Sequence, residues 1–443
     1  MPKTFSGGIF LEDQKNLTAD KPIRKAPAPA LAILPLQQHA GCPAEPKVAV
    51  GAMVQIGQLI GDSEKFITAA IHAPVCGKVI AIDRRLHPNG IKLLSIVIEN
   101  SGETTVHPSV TPPLPPENLS PDQIRQIVRR AGIVGMGGGA FPAHVKLTPP
   151  PGKKIESVII NGAECEPYLT GDYRLMLEQP ENILWGLWAV MQATGAIHGI
   201  IAIEDNKPAA IRVLLQTLQN ITLPQNRQND IRIEILAAKY PQGSEKQMIK
   251  SILGREVPSG GLPADSHCIV TNVATAATIA STIKTGSPLI DRVITVSGGN
   301  IKNPANLLCR IGTPFIDLIN ACGGFLEEPT KIIMGGPMMG IAVPGIDVPV
   351  LKCTTGILSL SKAEMAESLV QPCIRCARCV DACPQLLLPN LLGDFSEHNH
   401  HPQAKEYGAQ DCIECGICAY VCPAKRNLVQ LIKVSKQVIN SQS

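Results

Sequence analysis

A cysteine pattern that occurs twice near the C-terminus constrains this chain more than any other feature. Each copy reads C-x2-C-x2-C-x3-C-P. Three thiolates at this spacing can bind one iron–sulfur cube, and in two-cluster units the last cysteine of each copy binds the other cube. The pattern therefore predicts two [4Fe–4S] centres, one held by Cys373, Cys376, Cys379 and Cys422 and the other by Cys412, Cys415, Cys418 and Cys383.

Zinc is the alternative occupant for eight cysteines, but zinc ribbons use paired C-x2-C knuckles and not triplets followed by C-P. The remaining cysteines of the 15 occur singly, which does not suit a disulfide framework. Metal-bound thiolates indicate a reducing compartment. The formal net charge of +3 is spread without a Lys/Arg tract, so the sequence gives no sign of a nucleic-acid partner.

A long charge-free stretch at residues 183–203 has the length of a membrane span. Polar residues interrupt its middle, and Gly195 and Gly199 break its helical pattern. We interpret it as a buried helix followed by a buried strand, and the N-terminus has no apolar core of a signal peptide. Any membrane association of the chain is therefore expected to be indirect, through partners.

The rest of the 443 residues divides by pattern into a multidomain α/β and α+β chain. Short apolar strands between glycines mark residues 40–100, and strands alternate with helices from 155 to 285, which is typical of a Rossmann-like α/β sheet. The predicted units are an N-terminal extension with a small β unit (1–106), a proline-rich linker (107–121), an α/β domain (122–288), a smaller α+β unit (289–350) and a helical two-cluster domain (351–443).

Two local patterns refine this division. The sequence Ser120-Pro121-Asp122-Gln123 predicts a capping box at the start of a helix. The glycine spacing of the first β unit resembles the barrel-sandwich hybrid of lipoyl and biotinyl carriers, and Lys65 lies near their acceptor position. Its flanking residues match neither attachment motif, so a carrier function with an adduct on Lys65 is a minor alternative.

A glycine-rich loop, GMGGGAFP at 135–142, is followed by Lys146. Glycines let backbone N–H groups approach an anion, and a lysine adds a charge suited to phosphate. The loop is neither a P-loop nor a Rossmann fingerprint. NGAECEP (161–167) and YPQGSE (240–245) follow predicted strands, where ligand groups are expected in an α/β sheet.

Four segments in this order, GMGGGAFPAHVK, NGAECEP, YPQGSE and VTNVAT, resemble the FMN- and NADH-binding subunit of respiratory complex I. With the N-terminal β unit and the cysteine block, the chain is more similar still to the RnfC-type component of Rnf (Rsx) electron-transport complexes. The resemblance implies a barrel-sandwich hybrid, a flavin domain, a β-grasp (SLBB-like) module and a two-cluster ferredoxin-like domain.

The resemblance also implies a binding site for FMN and for NADH as the substrate. It assigns the FMN phosphate and ribityl chain to Gly135, Gly137, Gly138, Gly139 and Lys146, and the flavin ring to Asn161 and Glu164. The rest of the pocket would be Tyr240, Gly243, Glu245, Asn272 and Thr275, while the nicotinamide nucleotide would meet Phe141 and Glu166. Four positions depart from the family pattern, namely Phe10, Ala163, Thr271 and Ser244.

The function implied is that of a peripheral NADH-oxidising subunit on the cytoplasmic face of a bacterial inner membrane. Hydride would pass from NADH to FMN, with no catalytic acid or base, and electrons would leave singly through two [4Fe–4S] clusters to membrane partners, coupled to ion translocation. One alternative is a cobalamin reductase of the propanediol-utilisation type, which carries its barrel at the other end. Another is a passive iron–sulfur scaffold, in which the flavin site is lost and only the clusters work. For Glu164 and Glu166 taken singly, the alternative to a binding role is that of solvated loop acids.

Overall fold

The computed structural model describes residues 2–113, 115–365 and 369–441, so position 114 of the predicted linker and 366–368 and 442–443 of the predicted cluster domain lie outside it. The strands are β1 Arg24–Lys25, β2 Leu31–Pro35, β3 Glu45–Pro46, β4 Met53–Val54, β5 Leu59–Asp62, β6 Ile71–His72, β7 Gly77–Leu86, β8 Lys92–Asn100, β9 Ser157–Gly162, β10 His198–Glu204, β11 Ile231–Leu236, β12 Cys268–Asn272, β13 Asp291–Ser297, β14 Ala305–Arg310, β15 Ile332–Met334, β16 Ile341–Ala342 and β17 Gly356–Ser359. The helices are α1 Pro121–Arg130, α2 Ala143–Lys146, α3 Gly171–Glu178, α4 Pro180–Thr194, α5 Pro208–Asn220, α6 Glu245–Leu253, α7 Val273–Thr285, α8 Phe315–Ala321, α9 Arg378–Asp381, α10 Pro389–Glu397, α11 His401–Glu406, α12 Ile417–Tyr420 and α13 Leu428–Ser441.

The first unit is a small β barrel made of two sheets, β2-β8-β7-β4 and β3-β5-β6. All of its strand pairs are antiparallel. Alternate apolar side chains point into its interior, as β2 shows with Ala32 and Leu34 both buried beside Ile96 and Ile98 of β8. Lys65 lies in the exposed loop between β5 and β6.

The second unit is built on a fully parallel sheet in the order β11-β10-β9-β12. Its two central strands, β9 and β10, are apolar and almost wholly buried because helices cover both faces. The predicted capping box is confirmed at α1, where the side chains of Ser120 and Gln123 each accept the other's backbone N–H.

The charge-free stretch at 183–203 is a buried helix and a buried strand, as predicted. Helix α4 ends at Gly195, which has a left-handed backbone conformation with φ of 73°, and β10 begins three residues later. Trp188 lies in the core and meets Trp185 edge to face, with ring centroids 5.5 Å apart. Among the described residues, no helix has both the length and the apolar character needed to cross a bilayer.

The third unit is a six-stranded mixed sheet, β1-β14-β13-β17-β15-β16, packed against α8. Strand β17 lies beyond the predicted end of this unit at 350, and β1 comes from the N-terminal extension. The fourth unit is helical, α9 to α13, and carries the eight clustered cysteines. The predicted fold class is confirmed by these four units.

The N-terminal extension runs across several units, although its prolines predict only an irregular segment. Lys3 bridges to Leu236 of the parallel sheet, and Ile9 bridges to Tyr240. Lys15 is buried, and its ammonium group donates to the backbone carbonyls of Glu166 (2.9 Å) and Leu169 (2.5 Å). The segment therefore gets its regular backbone contacts from the sheets and loops that it crosses.

A second buried lysine joins three units. The side-chain nitrogen of Lys352 donates to the carbonyl of Ala70 in the barrel (2.5 Å) and to that of Gly132 after α1 (2.7 Å). Only 1% of Lys352 is exposed, and burial lowers the pKa of its side chain to about 7. Removing an ammonium group from water is costly, so burial here favours the neutral amine over the charged form.

The Lys352→Met variant should therefore change how stability depends on pH. The unfolded lysine keeps its proton up to a pKa of about 10.4, whereas the folded one loses it near 7, so this group makes the folded chain more stable as the pH rises from 7 to 10. Below pH 7 both states are protonated and the dependence vanishes. We therefore expect the Tm of Lys352→Met minus the Tm of wild type to be higher at pH 6.5 than at pH 9.5, where it should be more negative.

Calorimetry at several pH values measures this difference, and Lys78→Met, at an exposed lysine of the same barrel, is the control. The Tm of Lys78→Met minus the Tm of wild type should not vary with pH. Parallel Tm curves for wild type and Lys352→Met would contradict the expectation.

Candidate functional site

The parallel sheet brings the predicted site segments to one edge. Loops leave the carboxyl ends of β9, β10, β11 and β12 on the same side of the sheet, where ligands bind in open α/β folds. NGAECEP follows β9, YPQGSE follows β11, and Asn272 ends β12 and caps α7. The glycine-rich loop (residues 135–142) follows α1 in sequence and approaches this same edge of the sheet.

The glycine-rich loop is closed at its base and fixed to α7. Val134 pairs with Pro142, and the N–H of Gly135 donates to the carbonyl of Phe141 at 2.8 Å. The N–H of Met136 donates to the hydroxyl of buried Thr275 at 2.9 Å. Thr275 therefore fixes the glycine-rich loop to the first turn of α7.

The tip of the loop is open and has free donors. Among the described residues, none accepts a hydrogen bond from the N–H groups of Gly137, Gly138 or Gly139. A Cβ added at Gly138 or Gly139 would meet nothing within 4 Å, and Gly138 has a φ of 108°, which disfavours any side chain. Three unpaired amides around open space suit a phosphate group.

Lys146, on α2, is near the same edge but is paired. Its ammonium group contacts the carboxylate of Glu245 at the start of α6 and donates to the carbonyl of Val270 at 2.8 Å. Phe141, which the resemblance assigns to the nicotinamide nucleotide, is 38% exposed. A phosphate bound at this edge would be a second anion near Lys146, in addition to the carboxylate of Glu245.

Two acidic side chains meet beneath the loop after β9. Glu164 accepts from the N–H groups of Asp172 (2.7 Å) and Tyr173 (3.2 Å), so it caps the N-terminus of α3 and is not a solvated loop acid. Asp172 accepts from the amide of Asn272 at 2.5 Å. Burial, together with the charge of Glu164, raises the pKa of Asp172 to about 7, so a protonated carboxyl is available near neutral pH.

Asp172 was not predicted. The sequence signal was present, since an acid at the first turn of a helix, eight residues after Glu164, is a typical helix-start residue. What the sequence does not show is that α3 turns this acid inward to Asn272. The side chain of Asn272 also accepts from the N–H of Ala274, so one amide joins the acid pair to α7.

The segments after β9 and β11 contact each other tightly. The amide of Asn161 donates to the carbonyl of Gly243 at 2.8 Å, and the N–H of Gly243 faces the sulfur of Cys165 at 3.4 Å. A Cβ at Gly243 would lie 3.1 Å from that sulfur, so a side chain at this position would require the thiol to shift. Burial raises the pKa of the Cys165 thiol, and we interpret it as packing.

Tyr240 is buried and Glu166 is partly buried beside it. The carboxylate of Glu166 accepts from the N–H groups of Met338 (3.0 Å) and Met339 (2.8 Å), which belong to the third unit. The hydroxyl of buried Tyr240 donates to the carbonyl of Cys415 at 2.8 Å and faces Glu166 at 3.4 Å. The resemblance implied that Glu166 meets the nucleotide, but in this structure both of its oxygens have backbone partners.

The eight clustered cysteines line two separate cavities. The lining of the inner cavity includes Cys383, Cys412, Cys415 and Cys418. The lining of the outer cavity includes Cys373, Cys376, Cys379 and Cys422. These sets are the two cluster groups expected from the sequence. Four thiols spread around each cavity suit a cube that is held at its corners.

The two cavities differ in exposure. Cys383, Cys415 and Cys418 of the inner cavity are buried, whereas Cys373 and Cys376 of the outer cavity are exposed. Burial raises the pKa of Cys415 to about 12 and also raises that of Cys418. These thiols hold their protons at neutral pH until the positive charge of bound iron displaces them.

The remaining sequence features have structural positions. His398 and His400 are exposed, and the ring of His401 contacts the hydroxyl of Ser435 at 3.1 Å. Phe10, which departs from the family pattern, is 77% exposed.

Models of four protein families match the chain in the predicted order. They are the RnfC barrel sandwich hybrid domain (residues 3–103), the Nuo51 FMN-binding domain (128–281), the SLBB domain (293–342) and the 4Fe-4S dicluster domain (372–426). The predicted cofactors, FMN and [4Fe–4S] clusters, are confirmed by these domains. The open glycine amides and the two cysteine cavities fit both kinds of group.

Curated relatives match nearly the whole chain. The RnfC-type component of the Na⁺-translocating ferredoxin:NAD⁺ oxidoreductase complex of Acetobacterium woodii is 45% identical over 99% of this chain and 98% of its own. The proton-translocating counterpart from Clostridium ljungdahlii is 46% identical over 98% and 94%. The corresponding component of the ion-translocating oxidoreductase complex of Rhodobacter capsulatus is 45% identical over 87% and 73%. The chain therefore belongs to the RnfC family of ion-translocating oxidoreductase complexes.

Proposed function

We propose that this chain oxidises NADH and passes the electrons singly to membrane subunits of an Rnf-type complex that couples the transfer to ion translocation. It would act as a peripheral subunit on the cytoplasmic face of a bacterial inner membrane. One observation carries the proposal: the inner cysteine cavity contacts the carboxyl edge of the flavin-domain sheet through Tyr240, whereas the outer cavity exposes Cys373 and Cys376.

The nicotinamide nucleotide enters the proposal through the relatives. The names of two of them give ferredoxin and NAD⁺ as the substrates of their complexes, and we extend the nucleotide to this chain. The same two names give different ions, Na⁺ and H⁺, so the proposal names no coupling ion. When bound, FMN accepts a hydride as two electrons and releases them one at a time, and each [4Fe–4S] cluster carries one.

The glycine-rich loop would hold the FMN phosphate. The N–H groups of Gly137, Gly138 and Gly139 have no acceptor among the described residues, Gly138 and Gly139 border open space, and Gly135 closes the base of the loop. Lys146 adds a cation at the same edge of the sheet. Thr275 and the cap residue Asn272 keep the loop on the first turn of α7.

The acid pair limits the negative charge next to this anionic ligand. Burial and the charge of Glu164 raise the pKa of Asp172 to about 7, which favours its neutral, protonated form relative to an ordinary aspartate. Glu164 has two backbone donors that balance its charge. The chain thus holds acids beside a phosphate-binding loop without a large repulsion, and Asn161 and Gly243 complete the wall of the pocket.

The linings of the two cavities support the cysteine assignments. Cys412, Cys415, Cys418 and Cys383 would hold the inner cluster, and Cys373, Cys376, Cys379 and Cys422 the outer cluster. The exposed side chains Leu369, Val370 and Ile374 lie beside the outer cysteines. An apolar surface at an exposed redox centre suits contact with a partner protein.

An anaerobic NADH titration tests the proposal on the full chain after iron–sulfur reconstitution and addition of FMN. We expect the flavin absorbance band to bleach and reduced-cluster EPR signals to appear with it. Reduction of the clusters by dithionite but not by NADH would contradict the proposal and leave a passive iron–sulfur scaffold.

Two cysteine variants should stop the electrons at different places. In Cys412→Ser the flavin should still bleach with NADH, while EPR shows loss of the inner signal and no reduction of the outer cluster. In Cys373→Ser the inner cluster should still be reduced, but transfer to membrane vesicles that contain the other subunits should stop.

The control is Cys42→Ser, an exposed cysteine of the barrel that lines neither cavity. It should behave as wild type in both measurements. Full transfer to the vesicles by Cys373→Ser would show that the outer cysteines are not the exit.

Gly138→Ala should lower the affinity of the chain for FMN by about tenfold, because a left-handed conformation costs an L-residue about 1–2 kcal/mol and the strain would displace the free amides. Quenching of FMN fluorescence on binding measures the Kd. Gly90→Ala is the matched control, since Gly90 also has a positive φ, of 90°, and open space around it, but lies in the barrel hairpin. Equal Kd values for the two variants would exclude the loop as the phosphate site.

A further inference from the structure

A buried arginine of the third unit contacts the glycine-rich loop. Arg292 is on β13 and is only 3% exposed. Its guanidinium group donates to three backbone carbonyls, those of Met136 at 3.2 Å, Val293 at 3.4 Å and Lys352. Since Met136 belongs to the glycine-rich loop, a side chain from another unit of the chain holds this loop.

The carbonyl of Met136 belongs to the same peptide unit as the N–H of Gly137. In a planar trans peptide the C=O and N–H bonds point in opposite directions. The hydrogen bond from Arg292 therefore turns the N–H of Gly137 away from the guanidinium group, and this N–H has no acceptor among the described residues. A cation at the carbonyl oxygen also polarises the peptide and makes its N–H a stronger donor.

Met136 is fixed by α7 as well as by Arg292. Its N–H donates to the hydroxyl of Thr275 at 2.9 Å, and its sulfur lies 3.3 Å from the hydroxyl of Thr278. The residue is itself buried. Both backbone polar groups of Met136 are thus held in place, and the free amides of the loop begin at the next residue.

The charge of Arg292 has no close counter-charge in the protein. Among the described residues, no carboxylate forms an ion pair with it, and its hydrogen bonds all go to backbone carbonyls. The charge of Asp172 acts on it, but the raised pKa of that acid favours the neutral form. A buried cation without an anion is costly, so this position suits a ligand that brings negative charge.

We propose that Arg292 is a positioning residue for the FMN phosphate. Its guanidinium group orients the amide of Gly137 for the phosphate and supplies a positive charge behind that amide. The inference rests on the proposed function, which puts the phosphate at the glycine-rich loop. It adds the third unit to a cofactor site whose predicted residues all belong to the flavin domain.

The alternative is that Arg292 serves only as a joint between units. The carbonyls of Met136 and Lys352 are far apart in sequence, and one guanidinium group connects them. A joint would support the flavin pocket as a whole and would therefore affect the binding of every flavin alike. A positioning residue for the phosphate would affect only a flavin that carries a phosphate.

The test compares FMN with riboflavin, which has the same ring and ribityl chain but no phosphate. Each flavin is added to the full, iron–sulfur-reconstituted chain after removal of bound flavin, and fluorescence quenching gives the Kd. Wild type should bind FMN more tightly than riboflavin by about tenfold or more, because charge-assisted hydrogen bonds hold the phosphate. An unfolded fraction of the preparation binds neither flavin and leaves the ratio of the two Kd values unchanged.

Two variants of Arg292 separate its charge from its shape. Arg292→Gln removes the charge, so its Kd for FMN should rise by about tenfold or more while its Kd for riboflavin equals that of wild type. Arg292→Lys keeps the charge, but one ammonium group does not reproduce the fork that holds two carbonyls. Its Kd for FMN should therefore rise less, by about threefold, again with no change for riboflavin.

The matched control is Arg310→Gln in the neighbouring strand β14. Arg310 pairs with Asp291 at 3.1 Å, and the register places both on the face of the sheet opposite to Arg292. The variant thus removes an arginine charge from the same pair of strands on the face away from Arg292. Its Kd values for FMN and for riboflavin should match those of wild type.

The outcomes separate this inference from the proposed function. An equal loss of affinity for both flavins in Arg292→Gln, or no loss for either, would overturn the role of Arg292 and leave the loop as the phosphate site. If Arg292→Gln does not fold, Arg292→Lys decides: a rise in Kd confined to FMN supports the role, and a wild-type ratio of the two Kd values overturns it. If wild type binds riboflavin as tightly as FMN, the phosphate site of the proposed function fails.

Discussion

The buried hydrogen bond from Tyr240 to the carbonyl of Cys415 joins the flavin domain directly to the inner-cluster loop, and a second buried bond, from Gln247 to the carbonyl of Pro384, supports it. Electron transfer needs two redox centres close together, yet the domains that bind them fold around separate cores. A buried hydroxyl and a backbone carbonyl join those domains without introducing an unpaired charge. Glu166 adds a charged acceptor, but it satisfies that charge with two backbone donors of a third unit.

The N-terminal segment gives a second kind of connection. It has little regular structure of its own, so its backbone groups find partners on other units, from Lys3 beside β11 to β1 beside β14. Lys15 illustrates the cost of this arrangement. Its buried ammonium group has a lowered pKa because of desolvation, and two carbonyls of the loop after β9 compensate for the lost water.

Sequence reasoning predicted the features that local pattern determines. Cysteine spacing predicted which thiols line each cavity, and period and capping residues predicted α1, α4 and the strands of the parallel sheet. It did not predict β1, α3 or the inward position of Asp172, because each depends on a distant partner, such as Leu307 for β1 and Asn272 for Asp172. The contacts of Glu166 were missed for the same reason, since the third unit supplies them.

The two cysteine cavities differ in exposure, so the chain has one buried and one exposed position for a cluster. Three thiols of the inner cavity, Cys383, Cys415 and Cys418, are buried, and Tyr240 of the flavin domain packs in one apolar cluster with Cys415. The outer cysteines Cys373 and Cys376 have no such cover. The two cavities thus provide one buried and one exposed position for a cluster, and in the proposed function the exposed one would face the partner.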